Sequence, residues 1–281
     1  MREWWNTNPM SYDVGDPIPY EPRSQDYFRE IDRRIFHPRY MRLTARPGGK
    51  PFSRFVDFDE LEGADVLEVG CGSGIAVQLL VEAGANVTAV DLTPWAVETT
   101  RARLEAFGLA AEVFEADAER LPFDDVSFDL VFSWGVIHHT TDMQAALAEL
   151  VRVCRPGGRL VLMLYHRRSI FFVAYRGLAR FLPIARRLGF HFEGARQGER
   201  EGLIARHFTR REVEDLLRAQ GLEGISVQPY GQDAELLPLP RRIRLPITER
   251  LPQGPKDWVL TRAGHQLGIS ATRPGRATSE A

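Results

Sequence analysis

The stretch Asp65-Val66-Leu67-Glu68-Val69-Gly70-Cys71-Gly72-Ser73-Gly74-Ile75 decides the fold. Its first half, Asp65 to Val69, is short, apolar and rich in β-branched residues between Gly63 and Gly70, the pattern of a buried strand in a parallel sheet. Gly70, Gly72 and Gly74 then break the strand. Lacking a Cβ, they let the backbone turn sharply and lie against a ligand before a helix resumes at Ile75, to be stopped by Gly84. A strand, a glycine turn and a helix N-terminus together cradle a nucleotide. Dinucleotide enzymes use a near relative of this turn with the third glycine one residue later, so the turn alone does not choose between them.

Outward from this stretch the chain alternates strand and helix. Val87 to Asp91 is a second strand ending in a carboxylate about 20 residues past the glycines, where doubly wound folds bind a ribose diol, so Asp91 is the expected ribose ligand. Val113 to Ala118 reads as a third strand and Phe128 to Ser133 as a fourth, followed by Trp134-Gly-Val-Ile-His-His139. Arg155-Pro-Gly-Gly158 leads into a fifth, Arg159 to Leu164. Between them, Pro94 to Phe107 is a helix with Thr93 as N-cap and Gly108 as its stop. Asp142 to Cys154 is another, with Ala145, Leu147, Leu150 and Val151 toward the sheet. Such alternation predicts a parallel doubly wound sheet with ligands at the strand C-termini.

In this order the set resembles the class I S-adenosylmethionine-dependent methyltransferases, most closely the small-molecule group (methyltransferase type 11) that includes quinone C-methyltransferases and many natural-product O- and N-methyltransferases. The resemblance is strong over 52–165 and weak elsewhere. It implies an α/β, Rossmann-like doubly wound domain with a seven-stranded sheet whose last strand is antiparallel, and S-adenosyl-L-methionine as cofactor with no metal. Glu68, at the end of the first strand, is placed to bond the methionine amino group, or simply to cap the turn. The backbones of Gly70, Cys71 and Gly72 should approach the donor, Asp91 its ribose hydroxyls, and Leu92 or Thr93 its adenine. By the same resemblance Asp117 takes the adenine amino group, Ala118 offers a backbone N–H to the ring, and Ser133 lies where a backbone carbonyl meets the methionine amine.

His138 and His139 are the candidates for a general base, since imidazole titrates near neutral pH and their loop follows the strand beside the donor. At least one of such a pair is structural in most proteins of the group. Related sugar O-methyltransferases pair this histidine with an acid after the fifth strand; here Tyr165 and His166 stand there instead. Tyr12, Trp134, Tyr165 and Phe172 are candidates to line the acceptor pocket, and aromatic core packing is the alternative for each of the first three.

The organisation expected is an N-terminal arm or lid over 1–50, the S-adenosylmethionine-binding core over 51–165, a basic helical cap over 166–206, the end of the core with an inserted loop over 207–272, and a disordered tail over 273–281. The arm carries Trp4, Trp5, Tyr12, Tyr20, Tyr27, Phe28, Phe36 and Tyr40, with a helical period through Tyr27, Ile31 and Ile35. Ser169 to Leu182 is an apolar helix bearing Arg176 and Arg180, with Arg167, Arg168, Arg186 and Arg187 alongside, and fits a cap, a subunit interface or a peripheral membrane contact. A loop is expected over 189–206. Thr209 and Glu212 form a capping box for a helix ended by Gly221. Leu222 to Gln228 and His265 to Thr272 are the last two strands, and Gln232 to Asp257 is an insertion without clear period.

A net charge of −2 over 281 residues argues against a nucleic-acid partner held by bulk electrostatics. Two cysteines, Cys71 and Cys154, suit free thiols in a reducing cytoplasm, and neither a signal core nor a run of about 18 apolar residues is present. The function expected is methyl transfer to a small, hydrophobic organic acceptor, at oxygen before nitrogen or carbon, by a cytoplasmic monomer or homodimer. A quinone or prenyl-lipid C-methyltransferase is the alternative within the class, and a nonenzymatic S-adenosylmethionine-binding protein the alternative outside it.

Overall fold

In a computed structural model, which describes residues 2–7, 17–35, 43–179, 204–237 and 241–275, the apolar runs become strands of one open sheet. β1 (Asp65–Val69), β2 (Asn86–Asp91), β3 (Glu112–Glu115), β4 (Phe128–Trp134) and β5 (Cys154–His166) are parallel. Two-residue β6 (His207–Phe208) is followed by β7 (Glu223–Tyr230) and β8 (Gln266–Thr272), giving the order β3-β2-β1-β4-β5-β8-β7. β8 runs antiparallel to both β5 and β7. The eighth strand, absent from the seven expected, is β6, which is too short to show an alternating pattern. It pairs with Tyr165 and His166 on the edge of β5 that β4 vacates after Trp134, because β8 already holds the other edge at Tyr165.

Nine helices are described: α1 (Arg2–Thr7), α2 (Gln25–Ile35), α3 (Ile75–Val81), α4 (Pro94–Phe107), α5 (Met143–Val153), α6 (Ile170–Ala179), α7 (Arg210–Ala219), α8 (Arg241–Arg250) and α9 (Gln253–Ala263). Their starts follow side-chain chemistry. The Thr93 hydroxyl accepts from the Ala96 amide with Pro94 at the first turn of α4, and Gly108 closes that helix in the left-handed region. Asp142 accepts from the Gln144 and Ala145 amides at α5, and both halves of the Thr209–Glu212 capping box form at α7.

Three expectations need correction. α5 buries Met143, Ala146, Leu147, Leu150 and Val153, so its sheet-facing stripe is shifted from Ala145 and Val151. β3 ends at Glu115, leaving Asp117 and Ala118 in the turn beyond it. The insertion between β7 and β8 contains two helices, α8 and α9; Pro246 lies inside α8, which masks its period in the sequence. This insertion is closed by a buried ion pair, Lys256 Nζ to Asp233 at 2.7 Å, with a further bond to the Thr248 carbonyl at 3.1 Å.

The two-residue period of β1 sorts its side chains onto two cores. Leu67 and Val69 join Leu147, Leu150, Val213 and Leu217 on one face. Val66 joins Phe52, Phe55, Val77, Leu80 and Leu104 on the other, the face to which Glu68 also points. From β1 the chain proceeds outward to β2 and β3, then crosses back to β4. The resulting crevice lies at the C-terminal ends of β1 and β4, where an open α/β sheet binds its ligand.

Candidate functional site

At the end of β1 the three glycines divide the work. Gly70 has φ of 85°, its amide donates to the Val90 carbonyl at 2.7 Å, and any Cβ there would run into the Val136 side chain. Cys71 donates to the same carbonyl at 3.2 Å and its thiol is buried. Gly72, φ of 54°, has open space where a Cβ would project, and its amide donates to Asp91 at 3.2 Å. The amides of Gly70 and Cys71 are thus engaged within the sheet, whereas at Gly72, whose amide goes to Asp91 and whose carbonyl accepts from the Thr100 hydroxyl at 3.3 Å, the Cβ side is open.

Two carboxylates meet beside this turn. Asp91, at the end of β2, accepts from the Gly72 amide and from the Thr93 amide and hydroxyl, the latter two at 3.0 Å. Burial raises its pKa above the usual range, against the pull of those donors. Glu68 is 4% exposed; burial, and then the neighbouring Asp91 charge, push its pKa well up, while the Val77 amide hydrogen-bonds to it. Its Oε2 has no partner among the described residues. An orphaned buried carboxylate oxygen is costly and calls for a cation or a donor group.

Arg103 of α4, which the sequence did not single out, ties this half together. Fully buried, it donates to the Ser73 carbonyl at 2.7 Å, to Gln78 at 3.0 Å and to both oxygens of Asp32 on α2, at 3.0 and 2.7 Å, while lying 4.6 Å over the Phe28 ring. A basic residue at this position in a helix reads as an exposed charge in the sequence, and only the packing of α2 over it shows otherwise. Beyond β3, Asp117 is exposed, its carboxylate accepting from the Glu119 amide at 3.0 Å, and Ala118 is buried. Leu92 is half-buried before Thr93, and the Ser133 hydroxyl donates to the Val69 carbonyl at 3.0 Å across the β1–β4 crevice.

The other half of the crevice is built from rings. His138 and His139 lie in a short 3-10 turn after β4, with ring centroids 4.1 Å apart. Tyr165, at the end of β5, meets His138 at 4.1 Å, His265 at 4.8 Å, His207 at 5.3 Å and His139 at 5.5 Å. Phe171 and Phe172 at the start of α6 cover His265 and His207, at 5.3 and 4.5 Å. Trp5 of α1 lies edge-on to His139 at 5.2 Å. Burial holds His139 and His265 down to about 4, and pushes His138 well below the ordinary imidazole range with help from the surrounding imidazoles. These rings are therefore neutral near pH 7. His139 Nδ1 lies 2.6 Å from the Ile204 carbonyl, whereas neither nitrogen of His138 makes a well-aligned bond among the described residues, although the Met163 backbone approaches it.

His207 and His265 belong to this cluster and were not among the candidates. Each is a lone histidine at the start of a strand, with no motif around it, and only the pairing of β5 with β6 and β8 brings them to Tyr165. Trp134 is stacked on Phe132 with an interplanar angle of 4° and packed with Phe52, Phe55 and Tyr230, the core role left open for it. Tyr12 lies outside the described residues, as do the far end of the basic segment and most of the loop expected over 189–206. Among the described residues no group of acidic, histidine or cysteine side chains could hold a metal ion.

Residues 67–162 match the family model described as "Methyltransferase domain". The chain is 40% identical over 96 residues to the malonyl-[acyl-carrier protein] O-methyltransferase of Serratia marcescens, covering 34% of this chain and 36% of that one. It is 31% identical over 162 residues to the ubiquinone biosynthesis O-methyltransferase of Methylocella silvestris, 56% of each. The chain thus spans about a third to a little over half of the length of these relatives. A methyltransferase solved in complex with the Haloferax volcanii Trm112 methyltransferase activator has the same fold, with a TM-score of 0.57 at 20% identity over 88% of this chain and 94% of that one. Residues 67–162 thus match a methyltransferase domain, and the cofactor of such domains is S-adenosylmethionine. The residues present fit that cofactor: the open face of Gly72 admits a close-lying ligand, and the orphaned Glu68 oxygen suits an ammonium group.

Proposed function

We propose that the chain transfers a methyl group from S-adenosylmethionine to a small organic acceptor, at a hydroxyl oxygen. The observation that carries this reading is the pair of neighbouring carboxylates, buried Glu68 and half-buried Asp91, beside the glycine turn where Gly72 has open space. When bound, the donor supplies a methyl group on a sulfonium cation, and the protein mainly aligns donor and acceptor and keeps water out. In this reading Glu68 takes the methionine amino group, Asp91 the ribose hydroxyls, and Leu92, Asp117 and Ala118 the adenine. Cys71 and Ser133 shape the turn and the crevice floor. His138 and His139 stand at the acceptor as hydrogen-bond acceptors for a hydroxyl, with Tyr165 and Phe172 as walls. A neutral imidazole takes a hydroxyl's proton more readily than a carbon-bound one, which favours oxygen as the methylated atom. The arm over 1–50 acts as a lid, supported by the Trp5–His139 contact, the Arg2–Glu115 ion pair and the Asp32–Arg103 pair.

Incubation with a methyl-labelled donor and a metabolite extract, read by mass spectrometry, tests this. One or a few products heavier by the label are expected. Donor binding by calorimetry with no labelled product from any extract would favour a nonenzymatic binding protein, and no donor binding would remove both readings. A lipid-phase acceptor, such as a quinone, is the second reading. It is supported by Ile243 and Ile247, exposed four residues apart on α8, by Leu251 just past its end, and by the exposed Trp258 on α9. Partition of the protein with membranes in a cell extract is expected under that reading, and full recovery in the soluble fraction under the first. Among the described residues no helix is long and apolar enough to cross a membrane.

A further inference from the structure

Five of the chain's seven histidines, His138, His139, His166, His207 and His265, come from separate segments to the C-terminal ends of β4 and β5. His166 is accounted for by its 2.9 Å contact with the Gly264 carbonyl and His139 by Ile204. His207 Nδ1 lies 3.2 Å from the Ala205 carbonyl. The Nδ1 atom of His265, however, is buried with no hydrogen-bond partner among the described residues, and the ring nitrogens of His138, the other imidazole packed closely on Tyr165, make no well-aligned bond, although the Met163 backbone approaches that ring. Buried polar atoms of native proteins are paired as a rule, so nitrogens left over around one aromatic ring point to a group that is absent.

Resting on the methyl-transfer reading above, we propose that His265 is a specificity-determining residue of the acceptor site, and that the acceptor is an uncharged aromatic alcohol whose hydroxyl donates to His265. Three features set this chemistry. The walls are planar rings, Tyr165, Phe171, Phe172 and His207, at centroid distances of stacked or edge-on pairs. His265 is neutral and its Nδ1 is unpaired, so it serves as a hydrogen-bond acceptor and offers an anion no compensating charge. Three charged groups near the cluster are committed elsewhere: Arg206 donates to the Thr140 and Thr141 carbonyls, Arg167 to Glu212, and Glu235 accepts from the His265 backbone amide. A carboxylate or phosphate acceptor therefore finds no free partner among these groups, whereas a phenol finds flat aromatic faces to pack on and an acceptor nitrogen. Because the rings touch one another in this structure, entry of such a ligand displaces Phe171 and Phe172 at the start of α6.

Calorimetric titration of 2-naphthol, and of 2-methoxynaphthalene as the analogue without a hydroxyl hydrogen, into the full chain saturated with S-adenosylhomocysteine tests this. We expect 2-naphthol to bind about three- to tenfold more tightly than its methyl ether, the range that one charge-free hydrogen bond is worth. His265→Phe should remove the preference without changing S-adenosylhomocysteine affinity, and His265→Asn, which restores an acceptor oxygen, should recover part of it. Equal binding of the two naphthalenes, no binding of 2-naphthol, or an unchanged preference in folded His265→Phe overturns the proposal. If His265→Phe does not fold, the Asn variant decides alone, since a purely structural ring would leave it with no naphthol preference. Failure of the wild-type chain to bind S-adenosylhomocysteine sinks the methyl-transfer reading itself; normal cofactor-product binding with indifference to the phenol sinks only the role of His265.

Discussion

The two halves of the crevice solve opposite electrostatic problems. On the β1–β2 side, carboxylates and a guanidinium are buried and held by backbone amides and carbonyls: Asp91 by Gly72 and Thr93, Arg103 by Ser73 and Asp32. On the β4–β5 side, the buried groups are imidazoles kept neutral by the same loss of water. Burial opposes charge in both places, raising Glu68 and Asp91 as it lowers the imidazoles; on the first side backbone amides pull Asp91 back toward its ionised form, and on the second the neighbours are rings. Fixed charge suits a cationic donor, and neutral acceptor nitrogens suit an uncharged alcohol.

The comparison is broken most severely at the glycine turn. Gly70→Ala should cost about 2–6 kcal/mol, combining left-handed strain with overpacking against Val136, and should lower the urea midpoint sharply. Gly72→Ala, also at positive φ but facing open space, should cost only about 1–2 kcal/mol of stability and instead weaken donor binding. Equal destabilisation by the two would mean that the open face at Gly72 is not where a ligand lies.

The histidine half sets a pH dependence. His139 and His265 stay neutral down to about 4 when folded but take up protons near 6.5 when unfolded. The stability they contribute is complete above 6.5 and is lost as pH falls from there to 4, up to about 3 kcal/mol each. Glu68 and Asp91, with raised values, oppose this by binding protons in the folded state first. Urea unfolding at pH 7.5 and 5.0 should show a net loss on acidification, smaller in His265→Asn than in wild type. Identical pH sensitivity of the two would place His265 in water.

On the donor side, Asp91→Ala should weaken S-adenosylmethionine binding by about 1.5–3 kcal/mol, some ten- to hundredfold, with a smaller change in stability. Calorimetry reads this, and unchanged affinity in a folded variant removes Asp91 from the site. The smallest effect is expected for Asp32→Ala. It leaves Arg103 without its carboxylate, but Asp32 is partly open to solvent, so a loss of about 1–2 kcal/mol in stability is expected, together with a modest loss of donor affinity through Ser73. Loss of stability with full donor affinity would uncouple α2 from the glycine turn.

The donor half was legible because its parts are local. Strand, glycines, Thr93 cap and the acid ending β2 each act within a few residues of their neighbours in sequence, and backbone conformation follows from the residue type itself: φ of 85° at Gly70 and the Pro94 first turn need no distant partner. The sequence by itself therefore determined the parallel core, the two caps and the succession of strands from β1 to β5. What it left open depended on long-range pairing. β6 has two residues and no pattern of its own, Pro246 obscures α8, and Arg103 looks like any surface arginine until α2 covers it. His207 and His265 carry no local signal, since an imidazole is equally at home on a surface or in a core. Only closure of β5 by β6 on one edge and β8 on the other decides that they meet Tyr165, lose their water and remain uncharged.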